Sequence, residues 1–465
     1  MLLSLAAPLC GCAGISEIRQ TELFLGEYDA GEYDKASTVL GGESGLDYDA
    51  EQLLTSLHLA MALRAAGRFA ASQTVFDHAE SQLLWKSDQI SSVEDLLAAG
   101  FTLVGNDLMV SYRGTIYDGV LVNTFKALNA MHGGDLARAR VELNRADQRQ
   151  ENAVHQLAAK VAALGDAGDA EEDEEQYQEQ VNRSMEEVMD PEGPVAARLQ
   201  VVESLRQYRG LRNPFTDWLH GVFRLASGEA NRATNLFRNA AVLEGRRNSH
   251  VLADLVEAER VANGGARTDG RVWVIHEDGT GPYLEAFRFD LPIYTGDGML
   301  VVSAALPEFR RGTPAAGSLL IHVAGQEYRT EPLLDLDRYA ATEFRAGYDS
   351  VVFKAVAGTV IRSLIQLEIQ RQSREHGGLA SVLNVVAPIA SAVVTQADTR
   401  IWRALPRTIG VASLARPDDG RMRISAGPGP ARELILPPGR FALVVVKTIR
   451  ADVPPAVHGA AFGNE

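Results

Sequence analysis

Two periods of apolar residues divide the chain. Up to about residue 262 they recur at helical spacing, as in Leu54–Ala66, Val120–Met131 and Trp218–Ala226, which predicts helices with a buried face. Beyond residue 271 they alternate: Phe287, Phe289 and Leu291 are separated by Arg288 and Asp290, the period of a half-buried strand. Within the helical half one pattern returns. It reads Gly67, Phe69, Ser72, Phe76, Ala79, then Gly134, Leu136, Ala139, Leu143, Ala146, then Gly228, Ala230, Ala233, Phe237, Ala240. A shorter copy, Gly31, Tyr33, Ala36, Leu40, lacks the last Ala.

An apolar helix precedes each Gly, so each copy predicts a helical hairpin. The Gly ends the first helix in a left-handed turn. Small residues let the two helices approach, and the larger apolar ones fill the space between them. The offsets resemble the tetratricopeptide repeat. That resemblance implies an all-α solenoid over residues 13–262, packed through Gly67, Phe69, Phe76, Gly134, Leu143, Gly228 and Phe237. Stacked hairpins of this type present a concave surface to protein partners. Irregular spacing of the copies predicts extra or longer helices between them.

Ala262–Gly270 reads as a linker to a β-rich domain over residues 271–449, with a tail at 450–465. Strands are expected at Val272–His276, around Phe287–Leu291, and at Met299–Ala305, Leu319–Val323, Thr408–Leu414, Met422–Ala426, Glu433–Leu436 and Phe441–Lys447. Pro417-Asp418-Asp419-Gly420 and Pro437-Pro438-Gly439 are expected to close two hairpins among the last four. A helical hairpin at 336–396 is inserted between the strand sets, broken at His376-Gly377-Gly378. Its first arm puts Phe344, Tyr348, Val352 and Val356 on one face. Its second, Leu379–Thr395, is free of charge but spans seventeen residues, short of the roughly twenty that cross a bilayer. A buried arm is the expectation. The fold class is therefore a helical solenoid followed by a β-rich α+β domain.

Composition sharpens the functional classes. The 465 residues carry 45 Lys+Arg and 61 Asp+Glu, a net charge of −16. Nucleic-acid binders draw their affinity from basic residues, so no nucleic-acid partner is expected. Residues 166–190 hold eleven acidic groups against Arg183 alone, which is −10 in one segment. Such runs are usually solvated loops or exposed helices.

Both cysteines lie within the first twelve residues. An apolar run ends in Leu9-Cys10-Gly11-Cys12, which resembles the bacterial lipobox. The resemblance implies cleavage after Gly11, a lipid on Cys12, and outer-membrane sorting to the periplasmic face of a Gram-negative cell. No Lys or Arg precedes the run, which points to a start upstream of Met1. A body without thiols leaves no cysteine chemistry.

Arg113, Asp118 and Asn123 introduce an apolar helix, and capping is the expected role of such groups, with a ligand contact as the alternative. Asp398 and Arg400 are expected to pair beside Trp402. Trp273-Val-Ile-His-Glu-Asp-Gly and Ala397-Asp-Thr-Arg-Ile-Trp-Arg, with Tyr112-Arg113-Gly114, resemble an uncharacterised family of bacterial outer-membrane lipoproteins with tetratricopeptide-like repeats. The family implies no catalytic residues, metal or cofactor. No metalloprotease, hydrolase-elbow or phosphate-loop motif occurs in the sequence. The expectation is a non-enzymatic adaptor in cell-envelope assembly, touching the membrane only through its lipid. A lipid or ligand carrier acting through the C-terminal domain is the alternative, and a cell-wall hydrolase ranks below both.

Overall fold

A computed structural model describes residues 11–44, 46–83, 112–162, 172–205, 208, 211–295, 298–375, 397–427 and 431–462. Helices fill the first half: α1 (Gly11–Asp29), α2 (Tyr33–Gly41), α3 (Leu53–Ala65), α4 (Phe69–Leu83), α5 (Ile116–His132), α6 (Leu136–Ala162), α7 (Glu172–Met189), α8 (Ala196–Leu205), α9 (Pro214–Ala226), α10 (Ala230–Leu243) and α11 (Ser249–Ala262). Each Gly of the recurring pattern stands at a left-handed turn, with φ of 78° at Gly31, 78° at Gly67, 75° at Gly134 and 81° at Gly228. The same two bonds close all four turns. At Gly67, Arg68 N–H donates to Leu63 O at 2.8 Å and Gly67 N–H to Arg64 O at 3.0 Å. This double closure satisfies carbonyls that the helix end leaves free. The helices on either side pack as hairpins, α1–α2, α3–α4, α5–α6 and α9–α10. Ala36, Ser72, Ala139 and Ala233 are buried between them, as are Leu40, Phe76, Leu143 and Phe237.

Strands follow: β1 (Arg271–Asp278), β2 (Tyr283–Thr295), β3 (Gly298–Arg310), β4 (Leu319–Val323), β5 (Gln326–Arg329) and β6 (Glu331–Asp335), then helix α12 (Leu336–Glu375), then β7 (Thr408–Ala415), β8 (Arg421–Ala426), β9 (Arg432–Ile435), β10 (Phe441–Thr448) and β11 (Ala456–Phe462). Among the described residues they form sheets β11-β10-β1-β7-β6, β5-β4-β8-β9 and the pair β2-β3. β1 runs parallel to β10 and antiparallel to β7, with Trp273 opposite both Leu443 and Ser413.

Near-continuous apolar runs in β1, β7 and β10 mean that both faces of these central strands are covered. Trp273, Ile275, Val411, Leu443 and Val445 turn toward the helices and join one core with Phe24, Leu57, Phe125 and Trp218. Val272, Val274, Ala412, Leu414, Val444 and Val446 turn the other way, onto Leu319, Ile321, Met422 and Ile424 of the second sheet. The linker at 262–270 therefore joins two halves that share a core. One carboxylate ties them further. Asp254 of α11, fully buried, accepts from the Trp218 indole at 3.0 Å, Ser413 at 2.6 Å, Arg271 at 2.9 Å and Trp273 at 3.3 Å.

The expected hairpins at 417–420 and 437–439 do not form. β7 and β8 lie in different sheets, as do β9 and β10. Their turns bridge layers, because the doubly buried β7 and β10 lie inside one sheet while β8, buried on alternate residues, and the largely exposed edge strand β9 belong to the other. Residues 456–462, expected to be tail, form β11 against β10. β5 and β6, four and five residues long, are too short to show a period in the sequence.

The acidic segment is partly outside the described residues. Its described part is α7, an amphipathic helix whose Val181 and Val188 enter a separate core with Leu291, Ile293, Tyr348 and Val352. That core lies under the β2–β3 pair and includes α12, whose stretch Leu336–Leu367 is long and apolar enough to cross a membrane by length and composition. The expected second arm, Leu379–Thr395, lies outside the described residues.

Candidate functional site

Helices α4, α5 and α6 enclose a polar groove of about 530 Å³. At its floor sits Lys126, 1% exposed. This lysine is a buried charge in the middle of α5, so its ammonium needs partners to be tolerated there. It bonds Asp77 at 2.9 Å, Glu142 at 3.0 Å and, more closely, Glu80. Asn123, one turn earlier on the same face, donates to both Glu80 and Glu142 at 2.8 Å.

Burial alone would lower the Lys126 pKa, yet its bonds to Glu80 and Asp77 outweigh burial and raise it. Burial likewise opposes ionisation of Glu80, but Lys126 and Asn123 bring its pKa down to about 2. Lys126 and Glu80 are thus both held ionised. Asp77, Glu80 and Glu142 have carboxylate oxygens close enough together to hold a metal ion, and the Lys126 ammonium is the cation they bind.

The rim differs from the floor. Arg138, Arg145 and Arg149 follow one face of α6, from i to i+7 and i+11. Arg138 pairs with Asp77, Arg149 reaches Glu80 at 3.3 Å, and Arg145 approaches Glu80 and Glu142 at 3.5 and 3.4 Å. Each guanidinium has five N–H donors, so the rim keeps donors for a bound segment. Chemically the groove offers charges and hydrogen-bond donors; none of its lining residues is arranged as a nucleophile with a base.

Of the polar residues singled out by sequence, Asn123 alone reaches this groove, from beneath, through its bonds to Glu80 and Glu142. Asp118 caps α5 in a reciprocal box with Thr115 and accepts from the Tyr112 hydroxyl at 2.8 Å. Burial raises its pKa to about 7. Arg113 is exposed. Asp398 and Arg400 pair bidentately, both bonds at 2.8 Å, and Arg400 extends to Glu17 at 3.4 Å. Trp402 is buried edge-on to Phe76 and Phe125, with centroids 6.1 and 6.0 Å away. These residues therefore fasten the 397–405 segment to the helices. The backbone of Cys12 lies in the first turn of α1. The sequence reading missed Lys126 and the arginines. A charged residue inside an apolar helix was the available signal.

His276 and Glu277 face opposite sides of β1, as adjacent strand residues do. Glu277 meets Arg64 at 2.5 Å on the helical side. His276 meets Thr448 at 3.2 Å on the other. No family model, no curated protein and no solved structure matches this chain.

Proposed function

We propose that this chain is a lipid-anchored, periplasm-facing adaptor that holds a protein partner in cell-envelope assembly, and that it is not an enzyme. In this reading its hairpins stack in the manner of tetratricopeptide repeats. The α4–α6 groove takes an extended segment of the partner, whose carboxylates meet Arg138, Arg145 and Arg149. The observation that carries it is the groove itself, where the four cations Lys126, Arg138, Arg145 and Arg149 meet the three carboxylates Asp77, Glu80 and Glu142 and leave an excess of positive charge at the guanidinium rim. Ion pairs already formed within the groove give a pre-ordered surface, which lowers the entropic cost of binding.

Site-specific photo-crosslinking in cells tests the groove. A benzophenone side chain at Gln148 or Asn152, which line it, is expected to give one defined protein adduct. The same group at Val256, exposed on α11, is expected to give none. Equal adducts at all three positions would overturn the reading. The anchor is tested by radiolabelled palmitate, with incorporation expected in the parent chain and lost in Cys12→Ala.

A further inference from the structure

A second cavity, of about 360 Å³, opens where the ends of α9 and α11 meet the starts of α6 and β10. Three arginines from distant parts of the chain line it: Arg140, Arg267 and Arg440. Among the described residues lining it, none is acidic. In a chain of net charge −16, that concentration of positive charge calls for a counter-charge.

Nearby Glu229 does not supply enough. Its one carboxylate is shared by Arg140 at 2.5 Å, Arg224 at 2.8 Å and Arg232 at 2.9 Å. Arg267 is exposed and makes no ion pair or hydrogen bond among the described residues. Arg440 is held in place. Its Nε and Nη2 donate to Thr268 O at 3.1 and 2.5 Å, and its guanidinium lies 5.4 Å from the Phe441 ring. Arg140 lies 5.2 Å from the Phe223 ring in the same way, so two of the three planes are oriented before anything binds. The C-terminal carbonyls of α9 and α11 oppose an anion here, and both helix ends are closed by their own turns. At α9, Arg224 O accepts from Glu229 N–H and Leu225 O from Gly228 N–H; at α11, Val261 O accepts from Gly264 N–H and Arg260 O from Gly265 N–H.

The remainder of the wall is apolar, with Leu136, Phe223, Val261 and Phe441. Guanidiniums beside apolar and aromatic surface match an anionic head attached to an apolar body. We infer that this seam is a binding site for an amphiphilic organic anion, one bearing a phosphate or carboxylate next to an alkyl or aromatic group. It is distinct from the α4–α6 groove and does not depend on the adaptor reading.

Titration calorimetry on the purified full chain tests it with three probes. These are octyl phosphate below its micelle concentration, inorganic phosphate, and octyl glucoside. Octyl phosphate is expected to bind about tenfold or more tightly than either other probe, since it alone combines charge and chain. Arg267→Gln, at an exposed position, is expected to weaken it about fivefold, and Arg267→Gln/Arg440→Gln to abolish its advantage over octyl glucoside. Circular dichroism checks that both variants are folded. Equal affinity for octyl glucoside or for inorganic phosphate would overturn the inference, as would unchanged octyl phosphate binding in folded Arg267→Gln.

Discussion

Arg64 on α3 donates to Glu277 on β1 at 2.5 Å, across 213 residues of sequence, with both side chains at most 3% exposed. Lys447 on β10 approaches the same carboxylate at 3.8 Å. One buried acid thus joins the helices to two central strands. Removing one partner of such a pair strands the other charge and costs about 3–5 kcal/mol. Glu277→Gln is therefore expected to lower stability by about that amount in denaturant unfolding.

Acid should act at the same place. Burial would raise the Glu277 pKa, but Arg64 and Lys447 overcome it and hold the value below that of an ordinary glutamate. A depressed folded value contributes stability above the unfolded pKa of about 4.3 and loses it as pH falls. Unfolding curves below about pH 4 are expected to show this loss, with a shallower decline in Glu277→Gln.

Buried histidines add a second, higher window. His58, enclosed on α3, accepts from Arg403 N–H at 3.1 Å, and burial pushes its pKa down to about 3. His276 is brought down to about 4 for the same reason. Each is neutral in the fold but protonates at about 6.5 when unfolded. Stability is therefore complete above about pH 6.5 and declines toward pH 4, as the unfolded state takes up protons. Melting midpoints measured across that range should fall, and His58→Gln should flatten the slope by up to about 1.4 kcal/mol per pH unit.

The repeat glycines should not respond alike to alanine. Both Gly67 and Gly134 have positive φ, which costs an L-residue about 1–2 kcal/mol. At Gly134 an added Cβ meets nothing within 4 Å, whereas at Gly67 it meets the His458 ring at 2.9 Å. Gly134→Ala is expected to show the conformational cost alone. Gly67→Ala should be the more destabilising, because β11 must also give way, and paired chemical denaturation checks the order.

Lys126→Met keeps the volume and removes the charge. Asp77, Glu80 and Glu142 then face one another without the ammonium, and a loss of about 3–5 kcal/mol is expected. Arg145→Ala is the contrasting variant. Its side chain is 52% exposed and its ion-pair contacts are long, at 3.4 and 3.5 Å, so thermal unfolding should move by less than about 1 kcal/mol.

Sequence alone determined what depends on neighbours along the chain. The left-handed turns at Gly31, Gly67, Gly134 and Gly228 were legible because each is closed by bonds within six residues. The helices flanking them and the strand period after 271 were legible for the same reason. The Asp118 cap and the Asp398–Arg400 pair follow too, since their partners lie two or three residues away.

Tertiary structure decided everything that joins distant segments. The pairing of β1 with β10, the separation of β7 from β8, and the recruitment of residues 456–462 as a strand depend on which faces become buried, and no local period records that. Lys126 among three carboxylates and the three arginines of the α9–β10 seam arise in the same way. A charge far from its partners in sequence becomes a site only when folding removes water from around it and brings its counterparts within reach.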